Sequence, residues 1–153
     1  MPLDFFLKTS LPDRLPSEMD NLIQEIKKLQ TKEECLQKIY NFLISKYRGS
    51  RIKTVTRIPE LFKKDVNFLW YREGFLHCTN INYILRIFLI KSGFFSEKDI
   101  YLKWTFIWYC APHQYLRVNI EDNWINIDVW AYIYGIEYNN YASGFNQYLV
   151  PKK

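Results

Sequence analysis

The sequence predicts an α+β fold, with N-terminal helices and a central Cys-bearing helix packed on an antiparallel β-sheet. Three observations predict it. Apolar residues recur at helical spacing in the first third of the chain and again in 78-CTNINYILRIFLIKSG-93. Between Ile100 and Val129 the pattern changes to alternation, the period of a strand. Helices therefore precede strands instead of interleaving with them. At 153 residues, 48% of them apolar, the chain is expected to form a single domain with a substantial core.

Residues 1–15 read as an irregular lead, because Pro2, Pro12 and Pro16 limit regular structure. Ser17 is the expected N-cap of a first helix whose stripe is Met19, Leu22, Ile23, Ile26 and Leu29. Thr31 and Glu34 form a Thr-x-x-Glu capping box for a second helix, with Cys35, Leu36, Ile39, Phe42 and Leu43 on its inner face. Gly49-Ser50 is expected to end it. Residues 51–58 read as a short strand or loop, and 60-ELFKKDVNFLWY-71 as a helix candidate. After Gly74, the helix from Cys78 carries Ile81, Ile84, Leu85, Phe88 and Leu89, with Gly93 as a left-handed terminator. Three strands follow: 100–110, turned by Ala111-Pro112, then 113–120 and 124–129. The tail 130-WAYIYGIEYNNYASGFNQYLV-150 is aromatic and rich in turn formers.

The net charge of +5 is a mild bias, concentrated between Lys46 and Lys64. It carries no base-reading motif, so a solvated basic surface is expected and no nucleic-acid partner. Three cysteines without framework spacing suit a reducing compartment. No secretory leader is evident, and the apolar runs 81–90 and 104–112 are too short to span a bilayer. A cytoplasmic protein without membrane association is the expectation.

Cys78, His113 and Asp128 carry the chemical signal. At a helix start, free N–H groups and the macrodipole stabilise a thiolate. An imidazole beside it acts as base, and a carboxylate on the second ring nitrogen fixes tautomer and orientation. His113 and Asp128 both stand out of phase with the aliphatic residues of their strands. A two-residue turn at Glu121-Asp122 would pair Tyr115 with Asp128, leaving Asp128 diagonal to His113 at about 7–8 Å between backbones. A turn at Asp122-Asn123 would set Asp128 opposite Arg117. A three-residue loop would send it to the other face. The N–H of Cys78 would be one oxyanion donor, with a second to come from elsewhere. Each residue also has an ordinary structural use, such as an Asp128–Arg117 ion pair.

These residues resemble the transglutaminase-like superfamily, relatives of papain-like cysteine proteases. The resemblance lies in the Cys helix ending in Gly, in the block 113-HQYLRVNIEDNWINID-128 with Trp124 four residues before the aspartate, and in 128-DVWAYIYGIEYNNY-141. It covers about 70–145, with a helical part at about 16–47 preceding it, and is similar to small prokaryotic members. It implies a papain-like core with Cys78 as nucleophile, His113 as base and Asp128 as orienter. The implied activity is hydrolysis or acyl transfer at amide bonds of a peptide or protein. Trp70 and Tyr71 are candidate oxyanion residues, with Tyr115 and Trp130 as pocket residues. No cofactor and no metal are expected: His77, Cys78, Cys110 and His113 lack a zinc-site pattern. The alternative is a catalytically inactive member that binds peptides through its aromatic surface.

Overall fold

A computed structural model describes residues 1–152. After an irregular lead come α1 (Ser17–Ile26) and α2 (Lys32–Lys46). Met19, Ile23 and Ile26 of α1 and Cys35, Leu36, Ile39 and Leu43 of α2 are buried, as helical spacing predicts. The capping box forms in full: the Glu34 N–H donates to Thr31 Oγ1 at 3.1 Å and the Thr31 N–H to Glu34 Oε2 at 3.2 Å. Ser17 does not cap α1. Pro16 holds that position without a side-chain bond, its carbonyl accepting from the Asp20 N–H at 3.0 Å. The first turn thus closes one residue earlier than the serine suggests.

The next segment departs further from expectation. The second helix gives way at Tyr47 to β1 (Tyr47–Arg48), and the expected strand or loop contains α3 (Arg51–Thr56). Ser50 caps α3 by accepting from the Lys53 N–H at 3.3 Å. A 3-10 turn at Ile58–Phe62 precedes α4 (Val66–Tyr71), which Asp65 caps. β2 (Gly74–Phe75) pairs parallel with β1 and leads directly into α5 (Cys78–Lys91).

α5 is buried on all sides from Thr79 to Leu89, packing on α2 and on the sheet. A buried helix must satisfy its polar groups internally. Asn82 donates to the Gln114 carbonyl at 3.0 Å and to Gln114 Oε1 at 3.1 Å, tying α5 to the sheet. Arg86 forks onto Asp4 with two 2.8 Å bonds and reaches Glu97 at 2.6 Å. Arg86 and Asp4 are both fully buried, so this pair holds the N-terminal lead against α5. Gly93 ends the helix at φ +82°, the left-handed conformation expected of it.

β3 (Ile100–Ile107), β4 (Ala111–Ile120) and β5 (Asn123–Ile127) form an antiparallel sheet in that order. The architecture is therefore α+β. Ala111 and Pro112 do not turn the chain. They begin β4 opposite Ile107 and Phe106, and Trp108, Tyr109 and Cys110 make the turn, the first two at positive φ. β5 ends opposite Leu116, so β4 is paired on one side only at Pro112, where a missing N–H is tolerated. α5 covers β4, and on β3 Ile100 and Ile107 are buried while Trp104 and Phe106 are exposed. Among the described residues no helix is long and apolar enough to cross a membrane.

Candidate active site

The β4–β5 hairpin sets the geometry of the site. Ile120 pairs with Asn123 across a two-residue turn whose residues, Glu121 and Asp122, both have positive φ. That is the primed turn matching strand twist, and it selects one of the two even registers the sequence allows. Leu116 then pairs with Ile127, so Asp128, the next residue, stands beside Tyr115 and diagonal to His113. The side chains bridge that diagonal: His113 Nε2–H donates to Asp128 Oδ2 at 2.8 Å. Arg117 does not take the carboxylate; it pairs in register with Asn126 and lies over the Trp124 ring at 5.6 Å.

Asp128 is buried, and a buried carboxylate needs several donors. Besides the ring it accepts from the Ala131 N–H at 3.1 Å and the Ala142 N–H at 2.9 Å. The backbone of the aromatic tail therefore folds back to complete the carboxylate's shell. Burial pulls the His113 ring toward its neutral form, but the charge and hydrogen bond of Asp128 outweigh it. Nearby Cys78 acts in the same direction. The result is a pKa pushed up to about 10. With Nε2 held by Asp128, Nδ1 is the nitrogen left for Cys78. The sulfur makes no directed bond to the ring at rest, as is common in catalytic pairs before substrate binds.

Cys78 is the first residue of α5 and is partly open to solvent. The residue before it, His77, supplies no capping side-chain bond. Its own ring is engaged elsewhere, Nε2–H donating to the Arg57 carbonyl at 2.9 Å. The first-turn N–H groups of α5 are thus left without a capping side chain at the sulfur. Cys78, His77 and His113 open onto one cavity of about 250 Å³, whose walls include Val55, Ile107, Trp108, Pro112 and Trp130. Trp130 packs tilted on His113 with ring centres 5.1 Å apart. Gly49 lies so close to Trp130 that no larger residue fits, and its N–H donates to the Trp130 carbonyl at 2.9 Å.

Of the remaining candidates, Trp130 alone lines this cavity. Trp70 is a core residue, its ring stacked on Phe42 and its indole N–H donating to Glu18 at 3.1 Å. Tyr71 is exposed. Tyr115 stacks on Tyr141 at 4.2 Å, behind the carboxylate and outside the cavity wall. Nearness to Cys78 in sequence is a poor guide here, because α4 turns Trp70 inward, away from the start of α5.

Arg51 is a site residue that the sequence pattern does not single out. Its guanidinium lies 4.6 Å from the Trp108 ring centre and 4.0 Å from that of Tyr134, and donates to the Leu149 and Tyr148 carbonyls at 2.8 Å each. It lies in the basic stretch 46–64, where other charges are also engaged. Lys46 sits 4.7 Å over Trp70, and Arg57 is 3.6 Å from Glu60. Among the described residues no three His, Cys, Asp or Glu side chains are grouped as metal ligands. The chain matches no family model, no curated protein and no solved structure.

Proposed function

We propose that the chain is a cysteine-dependent hydrolase or acyltransferase acting on amide bonds, in a transglutaminase-like, papain-like core. The single observation that carries this is the buried His113–Asp128 pair, 2.8 Å apart, whose ring also interacts with the cysteine that opens α5. The Cys78 thiolate attacks the carbonyl carbon, forming a C–S bond. The uncapped N–H groups at the start of α5 receive the developing oxyanion. His113 gives its proton to the amine as the C–N bond breaks. Water, or a second amine, then attacks the thioester and returns a proton to His113, freeing the acid or new amide and the thiolate. Asp128 holds the ring throughout.

The test is alkylation of native protein with iodoacetamide at pH 6, read by peptide mass mapping. Cys78 should react many times faster than Cys110, an exposed thiol, and Cys35 should stay unlabelled. Burial pushes the Cys35 thiol up, with only Ser92 opposing it. Equal labelling of Cys78 and Cys110 would refute the activated nucleophile. It would leave the second reading, a silent peptide-binding module, which the exposed aromatic groups near the cavity favour.

A further inference from the structure

α3 and the 3-10 turn after it form a surface that the interior does not use. No residue of this six-residue helix is buried. A helix so short cannot hold itself in water and normally draws its stability from an apolar face packed on the core. Here Ile52 and Val55, three residues apart and so on one face, are 76% and 68% exposed. Ile58 and Phe62 continue the exposure along the 3-10 turn. Arg51 brings the tail alongside, its guanidinium donating to the Tyr148 and Leu149 carbonyls, and there Leu149 and Val150 are 80% and 73% exposed. Single exposed side chains of this kind are ordinary, but their concentration around one short helix marks an interaction surface.

Charge on the same surface points to the class of partner. Lys53 lies between Ile52 and Val55 in sequence, and Lys63 and Lys64 directly follow Phe62. All three lysines are exposed, and among the described residues no carboxylate pairs with them. The two carboxylates of the stretch are tied down. Glu60 takes Arg72 at 2.8 Å and Arg57 at 3.6 Å, with its other oxygen buried, and Asp65 accepts from the Asn67 N–H at 2.9 Å. Apolar side chains interleaved with unpaired cations suit the boundary of an anionic bilayer, where aliphatic groups enter the acyl region and lysines reach the headgroup phosphates. A nucleic acid would use the lysines and leave the aliphatic groups in water. Lying on a bilayer needs no spanning helix.

We propose that α3, the 3-10 turn and the tail at Leu149 form a docking surface for anionic phospholipid membranes, with Ile52, Val55, Leu149 and Val150 entering the lipid. The surface stands or falls independently of the chemistry of Cys78. Val55 also lines the cavity over Cys78, so docking brings the mouth of that cavity to the lipid.

The test is co-sedimentation of the full chain with vesicles of phosphatidylcholine alone and of equal parts phosphatidylcholine and phosphatidylserine. The anionic vesicles should bind about a hundredfold tighter, from three lysines at about fivefold each. Lys53→Gln and Lys64→Gln should therefore each cost about fivefold. Ile52→Asn combined with Leu149→Asn should cost about tenfold or more for each side chain removed. That double variant should melt with wild type, because both side chains are exposed. The indole introduced by Ile52→Trp should shift its emission to shorter wavelength on anionic vesicles and be quenched by brominated acyl chains more strongly than the native tryptophans. Equal binding to the two kinds of vesicle, or none to either, would overturn the proposal. So would binding unchanged by Ile52→Asn with Leu149→Asn, which would leave the lysines as a general polyanion surface. A wild type that ignores vesicles, dimerises, and becomes monomeric in the double variant would also overturn it, assigning the patch to a second copy of this chain.

Discussion

Gly49→Ala tests whether the site depends on a close approach far from it in sequence. A Cβ at residue 49 would meet the Trp130 ring at 2.3 Å and the Trp130 carbonyl oxygen at 2.4 Å. Neither obstacle is the loose end of a flexible side chain, so the backbone after β1 or the Trp130 segment must move. Overpacking of this kind costs about 1–3 kcal/mol. Losing the 2.9 Å Gly49–Trp130 backbone bond adds about 1 kcal/mol. The stiffer unfolded chain returns about 0.5 kcal/mol. The net is about 1.5–3.5 kcal/mol, and at about 2–4 °C per kcal/mol for a chain of this length the midpoint should fall by about 3–14 °C. Trp130 packs on His113, and Ala131 next to it donates to Asp128, so the displacement should also slow Cys78 alkylation. Thermal melts by circular dichroism and iodoacetamide kinetics read the two effects. Gly93→Ala is the control: nothing lies within 4 Å of its Cβ, so it meets only the strain of its positive φ, about 1–2 kcal/mol, and leaves Cys78 unaffected. A Gly49→Ala protein that melts with wild type and keeps full reactivity would refute the close-approach argument.

Asp128→Asn should bring the His113 pKa down from about 10 toward its ordinary 6.5, seen by NMR titration of the ring, and lower any acyl-transfer rate by about four orders of magnitude. Because the folded-state pKa of His113 is raised, its stabilising contribution is full below about pH 6.5 and fades as pH rises through about 10. Urea melts should therefore show wild type losing more stability than His113→Gln between pH 7 and 10; parallel profiles would count against the pair. Arg86→Met leaves Asp4 buried without its cation and should cost about 3–5 kcal/mol, whereas Arg86→Met combined with Asp4→Leu should recover much of that in the same urea assay.

Where a periodic signal belongs to an element packed against a neighbour, structure follows it; the alternation of 100–110 does not, since Trp104 and Phe106 are exposed. The helix from Cys78, the Thr31–Glu34 box and the alternation around Leu116 and Ile127 each repeat one physical requirement several times over. The His113–Asp128 diagonal is legible for the same reason, since phase and an even loop suffice to choose the face. α3 is not legible, because six residues hold under two helical turns and its evidence is a single capping residue, Ser50, while α4 fills only the second half of the helix candidate 60–71, after its cap Asp65. The turn at Trp108-Tyr109 has no glycine to announce its positive φ, so Pro112 draws the boundary instead. Arg51 reaches the cavity only because α3 is a helix and the tail returns beside it. No local pattern encodes that meeting.

The Asp4–Arg86 pair has a consequence for the order in which the chain assembles. Its partners are 82 residues apart, and Asp4 leaves the ribosome long before Arg86 exists. Until α5 is made, the lead has no cation to meet and stays undocked. Closure of so long a loop is slow relative to helix formation, so burial of this pair belongs late in folding. Protection of the Arg86 guanidinium from solvent would therefore mark the moment at which the beginning of the chain and its middle become one body.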